Sequence, residues 1–316
     1  MHPDLTVGHV LVVDVQGIVG ADFNPVICFL DAHRAALNAD HQISVRRAVA
    51  GKIFLIILFL LLAFWLFENF TYGVKKTTIQ SSKVSDELTF VQLSDLHGQM
   101  YGINNGILIN KVNSLDPDLI FVTGDMYSST DESGKGKQRA IDLMASFEAP
   151  VYFVAGEHDA NKQYLQDLRD VGVHVLSYDD DIVEIGDTKI KIYGINNAYF
   201  GPNFSLERNL GELSDEYYNI LLAHIPNFEP YMEWGADLTV CGDTHGGIIQ
   251  VPFAGPLYYE GEWLPELLEN KEVYDKGLFE QDGHYMYVSC GLGNFPFPAR
   301  LFNRPELTVL KIVPEE

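Results

Sequence analysis

The run IFLIILFLLLAFWLF, from Ile53 to Phe67, carries no charged or strongly polar side chain. Extended back to Ala48 through Lys52, whose stem can snorkel, it reaches 20 residues, about the helix length that a bilayer's hydrocarbon core demands. The stretch predicts one transmembrane signal anchor over residues 48–70. The competing readings are a buried core helix and the apolar part of a cleaved signal peptide, but no small-x-small cleavage site follows. Trp65, Phe70 and Tyr72 suit the membrane interface. Arg46, Arg47 and Lys52 precede the run, whereas Lys75 and Lys76 follow it with Glu68 between. This bias leans towards a cytoplasmic N-terminus and an extracytoplasmic C-terminal domain in the cell membrane. The Arg46-Arg47 pair does not read as a twin-arginine signal, because Ala48-Val49-Ala50 continues it poorly and the apolar run is long. Residues 1–47 show no motif or repeat. A start near Val45 would make the basic stub and apolar run a complete signal anchor. Residues 71–87 read as a linker and residues 88–316 as one large domain.

After Lys52 the chain has 17 basic and 39 acidic residues, a net charge near −22. Such a surface repels a phosphate backbone and argues against a nucleic-acid substrate. A small or lipid-borne phosphoester remains compatible. Three cysteines, Cys28, Cys241 and Cys290, are too few for a disulfide framework. Cys241 and Cys290 sit in apolar runs and read as buried thiols.

Beyond the anchor, short β-rich runs alternate with helix-like stretches such as Gly106 to Ser114 and NKQYLQDLRDVG. Chemistry stands where the runs stop. LTFVQL ends in Ser94-Asp95-Leu96-His97, DLIFVTG in Asp125, APVYFVAG in Glu157-His158-Asp159, NILLA in His224, and ADLTVCG in Asp243-Thr244-His245; IIQVPF reads as a further strand. One Asp-x-His is ordinarily a loop feature, and Gly-Asp after a strand is ordinarily a turn. Oxygen and nitrogen donors at five successive strand ends are a different matter, since two adjacent divalent ions require such a gathering and strand carboxyl ends are where ligands collect.

The order Asp95-x-His97, Gly124-Asp125, Gly156-x-His158-Asp159, His224, Gly242-x-Thr244-His245-Gly246-Gly247 resembles the calcineurin-like metallophosphoesterases, over roughly Leu88 to Ile312. Within that superfamily LLAHIPNFEPY, GDTHGG and VSCGLGNFPFPARLFNRPEL are most similar to the membrane-associated bacterial phosphodiesterases of the UDP-2,3-diacylglucosamine pyrophosphatase-like group. The resemblance implies an α/β (α+β) four-layer sandwich, two mixed β-sheets packed face to face with helices outside. It implies two divalent metal ions: Asp95, His97 and His245 on one, Asp125 bridging, and Glu157, His224 and Asp243 on the second. His158 would bind a phosphate oxygen or protonate the leaving alkoxide, and Asp159 would orient it. Water made acidic between the cations would attack phosphorus in line.

Two positions depart from the family pattern, which has Asn at Glu157 and His at Asp243. Four carboxylates instead of two favour Mn, Mg or Fe over softer Zn and imply a more neutral, slower site. The longer Glu157 and shorter Asp243 read as compensating changes. Met126-Tyr127-Ser128 replaces a segment that commonly holds a second, structural Asp. Asn196 and Asn197 read as loop residues, and Arg300 and Arg304 as phosphate clamps or solvated charges. Three functions remain in play: hydrolysis of a phosphodiester or pyrophosphate bond in a membrane or envelope molecule, a broad-specificity phosphatase or nucleotidase, and a non-catalytic metal-binding module. Specificity would reside in the loops 125–140 and 253–284.

Overall fold

The computed structural model describes residues 25–196 and 205–315. The chain divides at Leu60 and Leu61 into two compact units. A helix, α1 (Pro25–Phe70), runs through the described part of the first unit and ends in the second. It begins well before the anchor expected over 48–70, since HRAALNADHQ is rich in helix-favouring residues. Side chains from Ile53 to Phe67 are all exposed, and His33–Phe70 is long and apolar enough to cross a membrane. Residues 1–24 of the expected N-terminal segment lie outside the described residues.

The second unit, from Leu61 onward, is built on two six-stranded mixed sheets. One sheet contains β1 (Gly73–Ser81), β2 (Leu88–Leu93), β3 (Leu119–Val122), β4 (Val151–Phe153) and β5 (His174–Val175), with β16 (Glu306–Pro314) inserted between β1 and β2. The other contains β6 (Asp179–Ile185), β7 (Thr188–Gly194), β8 (Tyr218–Leu222) and β9 (Leu238–Cys241), continued by β15 (His284–Val288) and β14 (Gly277–Gln281). Two small hairpins lie between β9 and β14: β10 (Gln250–Val251) with β11 (Gly255–Pro256), and β12 (Tyr258–Tyr259) with β13 (Glu262–Trp263). Of the strand expected in IIQVPF, Gln250–Val251 form a two-residue strand and Ile249 makes an isolated bridge with Leu301.

Alternation along the strands produces the layers. Phe90, Phe121, Tyr152, Ile192, Ile220 and Val240 meet between the sheets. Their neighbours Val91, Ile120 and Val122 point the other way, onto α2 (Gly106–Asn113), α3 (Lys135–Met144) and α4 (Lys162–Asp170). On the far face of the second sheet, Tyr193, Leu221 and Met286 pack on α5 (Leu206–Leu210) and α6 (Phe228–Trp234). The four-layer sandwich expected from the resemblance is therefore present. Asn161 caps α4 by accepting from Tyr164 N at 3.0 Å, which starts that helix where NKQYLQ predicts.

Residues 71–87, expected as a linker, instead carry β1, which pairs in parallel with β16 over nine positions from Gly73↔Glu306 to Ser81↔Pro314. Ile79 and Val84 are buried against the inter-sheet core. VKKTTIQS shows few apolar residues because it is an edge strand, where lysines are expected. A chain beginning at Leu88 should therefore be less stable than one beginning at Thr71 by about 3 kcal/mol or more, from two lost aliphatic side chains, and should aggregate through the uncovered β16 edge. Thermal denaturation of the two proteins with light scattering checks this, and equal melting temperatures would show β1 to be dispensable.

Candidate metal centre

Parallel pairing sets β2, β3 and β4 side by side with their carboxyl ends level, and does the same for β8 and β9 in the facing sheet. Gln92 links the two sheets beneath those ends, its Nε2 donating to Thr123 Oγ1 at 2.9 Å and to Cys241 O at 2.7 Å. Closure demands glycine. A Cβ on Gly156 would lie 2.2 Å from Asp125 Oδ1, and one on Gly242 would lie 1.9 Å from Ser94 Oγ. Asp95, His97, Asp125, Asp243 and His245 all have left-handed backbone, with φ between 45° and 74°, a conformation costing an L-residue about 1–2 kcal/mol. Such turns stop the strands and aim the side chains at one another.

Asp125 is the hub. Its Oδ2 lies 3.5 Å from His224 Nε2, 3.8 Å from His97 Nε2 and 3.9 Å from His158 Nε2, while its Oδ1 accepts from His158 N at 2.9 Å. Three overlapping groups have donor atoms mutually within 4.8 Å: Asp95, His97 and His245; His97, Asp125 and His158; Asp95, Asp125 and His224. His97 Nε2 and His245 Nε2 are 3.1 Å apart, and Asp95 Oδ1 is 3.9 Å from the latter. His224 donates Nδ1–H to Thr123 O at 2.6 Å, leaving Nε2 aimed into the cluster. That Nε2 is buried with no hydrogen-bond partner among the described residues.

Asp243 Oδ1 also stands 3.5 Å from His224 Nε2. Glu157 is at the margin: its side chain is 53 % exposed, and its Oε1 stands 3.5 Å from His158 Nε2.

Burial pushes the Asp95 carboxyl up to about 7, against the pull of His224. Burial also brings His97 down to about 4 and, with the Arg300 guanidinium, holds His245 well below the histidine range. Both rings are thus neutral, as ligation requires. His224 is the reverse case: burial lowers it, but Asp125, Asp95 and Asp243 together raise it to about 10. The orphaned Nε2, the neutral imidazoles and the shared carboxylate fit a pair of divalent ions bound through oxygen and nitrogen.

Asp159 does not orient His158. Its Oδ2 accepts from Asp125 N and, at 3.2 Å, from Gly156 N, tying the ends of β3 and β4 together. Adjacent side chains diverge at this turn, so His158 finds another partner: Ser129 N and Oγ stand 2.9 and 2.8 Å from its Nδ1. Arg300 is neither a clamp nor solvated. It is buried, donating to Gly293 O, Cys290 O, Asn303 O and His245 O. Arg304 bonds Thr71 Oγ1 and lies over the Phe67 ring. Phe295, unforeseen, stacks on His97 at 4.5 Å and meets His158 edge-on at 4.8 Å. Its signal was the apolar NFPFP beside the motif-rich end of the chain. Asn196 bonds Ser177 Oγ as a loop residue, and Asn197 lies outside the described residues. Cys241 and Cys290 are buried free thiols.

Residues 88–247 match the family model for calcineurin-like phosphoesterases. The chain is 30% identical to the metallophosphoesterase YkuE of Bacillus subtilis (strain 168), over 74% of this chain and 83% of that protein. It is 26% identical to a metallophosphoesterase of Aquifex aeolicus (strain VF5), over 78% and 93%, and 30% identical to the phosphodiesterase YaeI of Escherichia coli (strain K12), over 62% and 71%. Because the matched span contains every strand end of the cluster from Asp95 to His245, the chain belongs to the calcineurin-like phosphoesterases and is a phosphoester hydrolase.

Proposed function

We propose that this domain hydrolyses a phosphodiester or pyrophosphate bond in a membrane or envelope molecule. In this reading Asp95, His97 and His245 hold one divalent ion, His224, Asp243 and Glu157 a second, and Asp125 both. The central position of Asp125 Oδ2, within 3.9 Å of three imidazole nitrogens, is the observation that carries it. Oxygen-rich coordination favours Mn, Mg or Fe over Zn. Two bound cations supply an acidified water and neutralise charge on the phosphoryl oxygens.

The chain's own groups do the rest. A backbone N–H can only donate, so Ser129 N makes Nδ1 of His158 an acceptor and leaves the ring proton on Nε2. That N–H is turned towards the Asp125 carboxylate, where it can bind a phosphoryl oxygen or follow the departing alkoxide. Phe295 covers His97 and His158 and keeps bulk water from them. The exposed apolar stretch of α1 and the phosphodiesterase name of the YaeI relative support a membrane-held diester, with residues 48–70 as anchor and the domain outside the cytoplasm.

Asp125→Ala should abolish hydrolysis of bis-para-nitrophenyl phosphate and remove much of the bound metal, read by metal analysis of the purified protein. Two full equivalents retained by that variant would disprove the shared carboxylate. His158→Ala, in contrast, should keep both metals and slow turnover by about 10²- to 10⁴-fold; an unchanged rate removes His158 from the chemistry.

The pairing of Glu157 with Asp243 has its own test. Restoring one family residue alone, by Glu157→Asn or Asp243→His, should weaken the second ion, whereas the double variant should recover it and shift preference to softer metals. Calorimetric titration of the four proteins would show this as non-additive binding free energies. Strictly additive losses would mean that the two side chains do not share an ion.

A further inference from the structure

A groove of about 490 Å³ runs beside the metal centre, within the range of small-ligand pockets. It is lined by Ile248, Ile249, Leu257, Trp263, Pro296 and Phe297 among others, with no charged residue among the described residues of its wall. This is unusual on a domain whose net charge is near −22. Trp263 is 63% and Phe297 64% exposed, so the rim is apolar as well.

The lining residues have two sets of neighbours. Gly247 and Ile248 follow His245 closely, and Pro296 follows the Phe295 that stacks on His97. The loop bearing Phe297 is in turn fastened to the last turns of α1. Trp65 Nε1 donates to Pro298 O at 3.1 Å, Phe64 meets Phe302 at 5.7 Å, and Asn69 exchanges hydrogen bonds with Arg300 N and O at 2.8 and 3.0 Å. Those turns are where the apolar run stops and where indole rings settle at a bilayer surface.

We infer that the groove seats an acyl chain of a membrane lipid, so that a lipid-borne phosphoester reaches Asp125 while its chain lies against Trp263 and Phe297. The inference rests on α1 as anchor and, for the reacting headgroup, on the diesterase reading. A free anionic ligand finds no cation among the described residues of this wall, and a hydrated one gains nothing from it, whereas a hydrocarbon chain gains by burial against it.

The test uses the full chain in phosphatidylcholine vesicles whose acyl chains carry bromine, a contact quencher of indole fluorescence. The protein has three tryptophans, Trp65, Trp234 and Trp263. Wild type should be quenched more than Trp263→Phe, with Trp65 giving the residual signal in both. Residual quenching through Trp65 without any Trp263 component would overturn the groove while leaving the anchor intact.

Turnover gives the second arm. Trp263→Glu and Phe297→Glu should raise KM for a para-nitrophenyl phosphodiester of diacylglycerol on the order of tenfold, the loss expected for one apolar contact, and leave the rate on bis-para-nitrophenyl phosphate unchanged. Equal effects on both substrates, or none on either, would overturn the assignment. If wild type cleaves neither diester with any ion, the diesterase reading falls and the fluorescence result still decides the groove.

Discussion

Carboxylates buried without enough positive charge are the constraint around which this domain is arranged. Asp95, Asp125 and Asp159 are all buried at the meeting of two sheets, a place where an unpaired charge costs several kcal/mol. The protein spreads the load over backbone donors. Asp243 N reaches Asp95, His158 N reaches Asp125, and Asp125 N with Gly156 N reaches Asp159. The first joins the end of β9 to that of β2 across the two sheets, and the others tie the end of β3 to the turn after β4. The electrostatic need of the site and the mechanical closure of the sandwich are thereby met by the same contacts, and the strained left-handed turns persist because both depend on them.

What remained legible in the sequence was whatever one strand could display on its own. Phe90 beside Val91 and Phe121 beside Val122 announce strands covered on both faces, and the acid or imidazole after each run marks its carboxyl end. Asp95, His97, Asp125, His224 and His245 were therefore readable before any packing was known. Ser129, Phe295 and Arg300 were not, because their roles come from contacts across long stretches of chain: Ser129 with His158, Phe295 with His97, Arg300 with His245 and Asn69. Asp159 misled for the opposite reason. Adjacency to His158 suggests a partner, yet neighbouring side chains at a turn face different ways, and geometry sent its carboxylate to the backbone.

The supposed linker illustrates how an edge strand hides. β1 needs burial on one side only, and its lysines and threonines satisfy the solvent side. A pattern search for apolar runs passes over it, although it completes one sheet and brings the end of α1 to the loop that holds Arg300. Arg300 then joins that loop to His245 O. From Asn69 to the cluster there are two steps of buried hydrogen bonding, so the turn ending the apolar helix is part of the scaffold that shapes the metal centre.

This arrangement bears on how an anionic substrate could reach so acidic a domain. A net charge near −22 repels phosphoesters at long range, but at physiological ionic strength the field decays over about 8 Å. The remaining obstacle is local: the proposed set of four carboxylates around two cations would attract an anion weakly. Effective concentration can replace attraction, since holding enzyme and substrate on one surface makes their encounter quasi-intramolecular. In the proposed reading the apolar turn of α1 and the uncharged groove would provide for that by hydrophobic contact, which the net charge does not oppose. On that proposal an acidic phosphoesterase would bind through its substrate's hydrocarbon and keep the buried carboxylates for its metals.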